Sequence, residues 1–322
     1  MPGGQGKIDD NEYLAAEWYY SEIMAHDWVL DCSHTKMVSE LAGWYYRDDQ
    51  KKILQVPNGV ASEYPRCGPY NVVAGSRKWK ELMVYGRSQF AGCPPYDFRY
   101  GTEIPAIDEQ DFAGIVHWAS DGNFYTPGSV PTEDYLLFVG RCTPYKGLLV
   151  ALQAAARAKE KLTIVPAMNL AEHRKDFEEH KSSIEEAVKQ GAKVDVAFLP
   201  LTTQHHIAKR ELYRRARALL FPVQCNEPFG LTIIEALLCG TPVITTHLGA
   251  CPEIITQGKT GFVCRDLPDM LEAIKQVDGL DRNLIRKEAF ERWHYTRAAR
   301  EYLAMMGAEP GPERVKVENL AC

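Results

Sequence analysis

The sequence predicts an α/β protein whose second half is a doubly wound parallel sheet. Two observations support this fold class. From Asp134 onward, short runs rich in β-branched residues alternate with helical stretches at the spacing that βαβ units require. The chain is also 322 residues long, and 45% of these residues are hydrophobic. This length exceeds that of a typical domain with one hydrophobic core. We therefore expect two α/β domains, with ligands beyond the carboxyl ends of the strands.

The second half supplies the regular elements of this prediction. Its strands are predicted at 135–141, 161–167, 193–200, 217–223, 241–246 and 260–264. Its helices are predicted at 147–159, 171–190, 203–216, 229–239, 251–256, 267–277 and 282–306. This alternation is typical of a Rossmann-like domain.

The first half repeats the theme less regularly. Its strands are predicted at 28–34, 51–56, 70–76 and 112–119, and its helices at 12–26, 36–47 and 77–86. We expect a small α/β domain over 1–128, the larger domain over 129–306 and a flexible tail over 307–322. The last helix of the larger domain is a candidate to pack back on the first domain. Residues 87–111 are expected to form a long loop, and 123–134 have the composition of a linker.

Composition excludes several classes of function. No run of 18 uncharged apolar residues occurs, so no integral membrane segment is expected. The net charge is −6, and residues 1–130 hold 11 Lys and Arg against 18 Asp and Glu, so a nucleic-acid partner is not expected. The nine cysteines include no Cys-x-x-Cys pair, and the chain opens without a secretion signal. A cytoplasmic location is expected, with peripheral association at a membrane left open.

The segment 226–255 carries the densest chemical signal. Glu227 falls in the turn after a buried strand, and Gly230 allows close approach of the backbone to a ligand. The amides that open the following helix can bind an anion. Glu235 lies eight residues after Glu227 among apolar neighbours, so its carboxylate needs a partner. As an isolated pair, the two glutamates could equally be a helix-dipole partner and a solvated helix residue.

A second signal follows the first strand of the larger domain. Arg141 ends that strand and Lys146 precedes the next helix. Both can project over the carboxyl edge of the sheet, where a diphosphate would need fixed cations, although each alone could be an ordinary surface cation. Neither a GxxxxGK[ST] phosphate loop nor a GxGxxG fingerprint is present.

Five motifs in order give residues 135–306 a specific resemblance. They stand here as Gly140-Arg141 with Lys146-Gly147, Glu227 to Glu235, Gly240 to Ile244, Gly249 to Ile255, and Gly258 to Phe262. This region resembles the carboxyl-terminal domain of retaining glycosyltransferases of family 4, which have the GT-B architecture and a Glu-x7-Glu motif. The resemblance implies two Rossmann-like domains that face each other across a cleft.

The resemblance also implies which residues bind the donor. Arg141 and Lys146 would hold the diphosphate, Glu227 would contact the transferred sugar, and Glu235 would hold the ribose. The base would lie near Leu201, although Pro200 stands where family members usually have glycine. The implied donor-binding residues are Arg141, Lys146, Leu201, Glu227, Phe229, Gly230, Leu231, Thr232 and Glu235.

The first 130 residues resemble the acceptor domain of the same family more weakly. His34 matches a histidine that faces the donor sugar in several relatives, while a position at a strand edge would also suit it. We count His34 with Glu227, Arg141 and Lys146 as the candidate catalytic residues. The domain is shorter than in the family, so we expect either that it is naturally abbreviated, or that the chain is truncated and needs a partner subunit to complete its acceptor side.

The function implied is retaining transfer of a sugar from a nucleotide-sugar donor, UDP- or GDP-linked, to a glycan, a lipid-linked acceptor or a small molecule. No cofactor is expected, and no metal, because the sequence contains no Asp-x-Asp motif. Two alternatives remain open: a subunit that binds the sugar nucleotide without turning it over, and a nucleotide-sugar epimerase with the same larger domain.

Overall fold

The computed structural model describes residues 29–31, 53–55, 71–85, 109–129, 132–200, 202 and 204–307. The helices predicted at 12–26 and 36–47, most of the loop predicted at 87–111 and the predicted tail lie outside these residues. Within them, no helix combines the length and the apolar character that a membrane span requires.

Two parallel sheets organise the chain. The first consists of β1 to β4 in that order, with bounds Val29–Asp31, Ile53–Gln55, Asn71–Ala74 and Phe112–Ile115. The second has the strand order β10-β9-β8-β5-β6-β7. Its strands, from β5 to β10, are Leu136–Gly140, Lys161–Pro166, Lys193–Val196, Ala218–Phe221, Val243–Thr246 and Gly261–Cys264. This is the doubly wound order, with its topological switch point between β5 and β8.

Ten helices accompany the strands in the described part of the chain. From α1 to α10 they are Arg77–Val84, Leu148–Ala158, Ala171–Glu178, Lys181–Lys189, Gln204–Arg215, Leu231–Leu238, Cys251–Ile254, Leu267–Gln276, Arg282–Trp293 and Tyr295–Met305. The larger sheet is buried on both faces except at its edge strand β7, as its near-continuous apolar inner strands indicate. Side chains from α5, α6 and α9 cover one face, and side chains from α2, α4 and α8 cover the other.

Several predicted elements were wrong in extent; the strand predicted at 112–119, for example, ends at Ile115. The helix predicted at 171–190 is two helices, because the His180 ring donates to the carbonyl of Asp176 at 2.8 Å and takes the acceptor that a continuing helix would use. The helix predicted at 282–306 breaks at His294, whose extended backbone lets its side chain cap α10. The strand predicted at 193–200 ends at Val196, because β7 is an edge strand whose pairing with β6 stops there.

Residues 117–126, which include the start of the linker predicted at 123–134, are anchored to the larger domain. Tyr125 is only 4% exposed and lies in the core of that domain. Four arginines from the larger domain donate to main-chain carbonyls of this segment, at distances of 2.5–3.3 Å: Arg210, Arg214, Arg286 and Arg297. These bonds satisfy backbone acceptors that the segment does not satisfy itself.

The last helix, α10, packs on the smaller sheet. Ala298 shares a buried cluster with Val73 of β3 and with Val116, which follows β4. Gly114 of β4 leaves the space that the side chain of Met305 fills. The chain therefore crosses between the sheets twice, once through residues 117–126 and once through α10.

Candidate functional site

The switch point of the larger sheet brings the two sequence signals together. Gly140 ends β5, and Arg141 follows it directly. The neighbouring strand β8 ends at Phe221, and the chain then runs through Glu227 into α6. Because both strands are parallel, their carboxyl ends open on the same crevice.

Lys146 is fixed over this crevice by a short turn. Residues Pro144–Lys146 form a 3-10 turn whose Tyr145 carbonyl accepts from Gln224 N at 2.7 Å. Gly147 has φ 81°, and a Cβ there would overlap the carbonyl oxygen of Pro222, so only glycine fits. The turn is thereby held against the end of β8.

Lys146 and Glu227 form an ion pair across the switch point. The Nζ to Oε2 distance is 2.6 Å, and the side chains are 21% and 11% exposed. Burial by itself would lower the pKa of Lys146, but the charge of Glu227 and its hydrogen bond outweigh this effect and raise that pKa. Lys146 is therefore a cation at neutral pH and keeps two further N–H groups for an anionic ligand.

Arg141 differs from Lys146 in having no carboxylate partner. Its guanidinium lies 5.4 Å from the ring centroid of Tyr145, and no acidic side chain of the described residues is within salt-bridge distance. An unpaired planar fork beside a buried ammonium suits two oxygens of a phosphate group.

The helix α6 adds amide donors to these cations. It begins at Leu231 and not at Phe229 as predicted, because Gly230 has φ 101° and ends the turn in a left-handed conformation. Gly230 offers no side-chain cap, so the amides near Leu231 and Thr232 face outward as orphan donors. Leu231 is 44% exposed at this point. The side chain of Phe229 is instead buried against His117, Trp118 and Trp293, which leaves only its main chain for a ligand.

Glu235 has the partners that its apolar surroundings required, and they come from the protein. Its Oε1 accepts from Tyr125 at 2.9 Å and from Lys209 at 3.0 Å, and its Oε2 accepts from Tyr213 at 2.9 Å. The Lys209 ammonium also lies 2.9 Å from Oε2 as an ion pair. Burial, followed by the charge of Glu235, raises the pKa of both tyrosines, so they remain hydroxyl donors. Three hydrogen bonds and the Lys209 ion pair occupy most of the acceptor capacity of the carboxylate. A ribose at Glu235 must therefore share or displace Lys209.

Sequence reasoning missed this network. Tyr125 is distant in sequence, whereas Lys209 and Tyr213 are four residues apart on one face of α5. The spacing of Lys209 and Tyr213 on α5 is the only hint of this network in the sequence. Only the fold shows that the face of α5 that carries them packs against α6 and Glu235.

The loop after β9 holds Glu227 in place. Ala250 N donates to the carbonyl of Glu227 at 2.9 Å. Gly249 has φ 63°, and a Cβ there would overlap the backbone of Asn226 and Glu227. The loop and the Glu227 turn are therefore in direct backbone contact.

We expect Gly249→Ala to lower the free energy of unfolding by at least about 2 kcal/mol, because it combines a left-handed residue with a backbone overlap. Urea denaturation measures this, with Gly279→Ala as the control, since a Cβ at Gly279 meets no atom. Equal stability of the two variants would contradict this close packing of Gly249 on the Glu227 backbone.

His34 and Leu201 lie outside the described residues, so their predicted roles stay predictions. Among the residues that are described, no three His, Cys, Asp or Glu side chains are placed to share a metal ion.

The chain is similar in sequence to several curated proteins. A D-inositol 3-phosphate glycosyltransferase of Mycobacteroides abscessus is 30% identical over 313 residues, covering 89% of this chain and 62% of that protein. A probable sucrose-phosphate synthase of Thermosipho melanesiensis is 32% identical over 142 residues, covering 42% of this chain and 33% of that protein. The chain thus spans less than two thirds of the length of these curated relatives.

A solved structure of similar fold is HepE of Anabaena in complex with UDP and glucose. It has a TM-score of 0.67 at 15% identity and covers 96% of this chain and 84% of the other. This likeness confirms the predicted α/β fold and GT-B architecture. The family model for glycosyl transferases group 1 matches residues 124–287, just over half of the chain and including the Arg141, Lys146, Glu227 and Glu235 region. The chain therefore belongs to the group 1 glycosyl transferase family.

Proposed function

We propose that this protein is a retaining, metal-independent glycosyltransferase that moves a sugar from a nucleotide-sugar donor to an acceptor. The observation that carries the proposal is the group of donors at the switch point. Arg141 and Lys146 follow β5, Lys146 pairs with Glu227 after the adjacent parallel strand β8, and α6 begins shortly beyond Glu227, at Leu231. The switch point is where an open α/β sheet binds a ligand, and the donors match a diphosphate flanked by a sugar.

The donor is proposed to lie along this edge with its diphosphate on Arg141, Lys146 and the α6 amides. Lys146 can keep Glu227 while it donates to a phosphate oxygen, because an ammonium has three N–H groups. Glu227 then accepts from hydroxyls of the transferred sugar beside the phosphate. The ribose lies toward Glu235, where it shares the carboxylate with Lys209.

The transfer step follows from this placement. The bond from the anomeric carbon to the diphosphate oxygen breaks, and its electron pair stays on the leaving group. The acceptor hydroxyl attacks the same face of an oxocarbenium-like sugar, and its proton passes to the leaving phosphate oxygen. Arg141, Lys146 and the helix amides stabilise the charge that grows there, and fixed donors of this kind need no reorganisation during the reaction. His34 is proposed to approach the sugar from the first domain.

A thermal-shift screen of UDP, GDP and ADP, each also as its sugar nucleotide, tests the binding part of the proposal. A ligand that binds only the folded chain raises the unfolding temperature, and at 100 times its Kd it adds about 2.7 kcal/mol to the free energy of unfolding. We expect UDP or GDP to stabilise the protein. No shift with any nucleotide would contradict the proposal.

Product analysis then separates the possible activities. Transfer to an acceptor with the donor's anomeric configuration supports the glycosyltransferase, whereas an epimerised donor formed without acceptor would identify an epimerase. Binding without turnover, restored by a co-purified protein, would identify a partner-dependent subunit. The acceptor is proposed to be a glycan, a lipid-linked molecule or a small molecule.

We also propose that the protein works in the cytoplasm. Five cysteines in the described residues are buried and form no disulfide: Cys142, Cys225, Cys239, Cys251 and Cys264. Burial raises the pKa of the Cys239 and Cys251 thiols to about 12, which leaves them unreactive. Reduced, unreactive thiols suit a reducing compartment.

A further inference from the structure

The amino end of α1, in the smaller domain, touches the donor side of the larger domain at two points. The first is Ser76, the residue that caps α1 and is fully buried. Its hydroxyl accepts from Trp79 N at 3.1 Å and donates to the carbonyl of Pro228 at 2.6 Å. Pro228 follows Glu227 directly in the chain. The Ser76 hydroxyl thus caps α1 of the smaller domain and binds the turn of the larger domain that contains Glu227 and Pro228.

The second point is Glu253, on α7 of the larger domain. Its carboxylate accepts from the amides of Arg77 at 3.0 Å and Lys78 at 2.8 Å, which open α1, and from His117 Nε2 at 2.9 Å. A negative charge is favourable at a helix amino end. Burial by itself raises the pKa of the Glu253 carboxyl, but these hydrogen bonds outweigh burial and hold the pKa below its ordinary value.

Both points lead to the same residue of the site. The helix α7 begins one residue after Ala250, whose N–H donates to the Glu227 carbonyl. Gly249 packs on the Glu227 backbone from the same side. The Glu227 turn is therefore held from α1 directly, through Pro228, and indirectly, through Glu253 and α7.

We propose that Ser76 and Glu253 are positioning residues that set the Glu227 turn according to the placement of the smaller domain. They touch neither the sugar nor the phosphate. The inference rests on the proposed function, because it assigns Glu227 to the transferred sugar. A small misplacement of a substrate-positioning group lowers turnover strongly, so the smaller domain can control transfer through these two contacts.

Two substitutions break the contacts with little change in shape: Ser76→Ala and Glu253→Gln. The alanine removes the donor to Pro228, and the carboxamide removes the charge and replaces one acceptor oxygen with a donor. Matched controls are Ser182→Ala, on the exposed face of α4, and Glu81→Gln, whose side chain on α1 is 47% exposed.

Two readouts are measured on the full chain. The first is hydrogen exchange of the Ala250 amide, which reports directly on its bond to Glu227. The second is steady-state release of UDP from UDP-glucose and of GDP from GDP-mannose. For each contact variant we expect hydrogen exchange at Ala250 to be about tenfold faster, which is the factor that the loss of one hydrogen bond gives. We expect kcat to fall by about tenfold with the KM for the donor nearly unchanged. The controls should match the wild type in both.

The outcomes separate the inference from the proposed function. Folded Ser76→Ala or Glu253→Gln with wild-type exchange at Ala250 overturns the inference, as does a rise in KM without a fall in kcat. If one variant does not fold, the other decides. The wild-type chain could also turn over neither UDP-glucose nor GDP-mannose while exchange at Ala250 is faster in both variants than in the wild type. That result contradicts the proposed function and leaves the positioning contacts supported.

Discussion

Arg141→Ala is expected to lower the rate of sugar transfer by on the order of 10²-fold or more, the scale of removing one preorganised donor from a developing negative charge. The free energy of unfolding should stay the same within about 0.5 kcal/mol, because Arg141 has no acidic partner among the described residues. Steady-state turnover and urea denaturation measure the two effects.

Arg157→Ala is the matched control, because Arg157 is an exposed arginine on α2, the helix that follows the Lys146 turn. It should leave both turnover and stability unchanged. Lys146→Ala should cut turnover as strongly as Arg141→Ala, but it should also cost stability, because it leaves the buried carboxylate of Glu227 unpaired. Near-normal turnover in the Arg141 variant would remove the guanidinium from the proposed mechanism.

Glu235→Ala is expected to lower the free energy of unfolding by about 3–5 kcal/mol, the cost of removing one partner of a buried ion pair. Lys209 and Glu235 are only 12% and 11% exposed, so the ammonium would be left without its counter-ion in a nearly dry site. Two tyrosine hydroxyls would lose their acceptor as well. Urea denaturation measures the loss.

A double substitution tests this explanation. Glu235→Leu with Lys209→Met removes both charges and should recover much of the stability, since apolar replacement of a buried pair is often neutral. Glu185→Ala, at an exposed position of α4, is the control for loss of a glutamate. A Glu235→Ala variant as stable as this control would show that the network contributes little to the free energy of unfolding. Glu235 would then act in ligand binding alone.

The sequence indicates the larger sheet well because most of its strands are short apolar runs that are buried on both faces, the edge strand β7 being the exception. It also indicates the crevice, because Gly147 and Gly230 mark backbone positions that only glycine tolerates and each lies beside a candidate charge. Both signals are local in the chain.

The features that sequence reasoning missed depend on contacts between distant segments. Glu235 visibly needed a partner, but nothing near it in sequence shows that Tyr125 and Lys209 supply it, 110 and 26 residues away. The same holds for Ser76, which reaches Pro228 across 152 residues. The break at His294 was missed for another reason. The helical spacing of apolar residues continues across His294, so this pattern does not distinguish a histidine that caps a new helix from one inside a continuous helix.

The central claim is that fixed protein donors, without a metal ion, bind the diphosphate at the switch point. Calorimetric titration with UDP and with GDP in excess EDTA tests it most directly, on the wild-type chain and on the Arg141→Ala, Lys146→Ala double variant. We expect one of the two nucleotides to bind the wild type in EDTA and to bind the folded double variant at least about 100-fold more weakly, since two charged hydrogen-bonding groups are lost. Binding that needs added Mn²⁺, or equal affinity in the folded double variant, would contradict the claim.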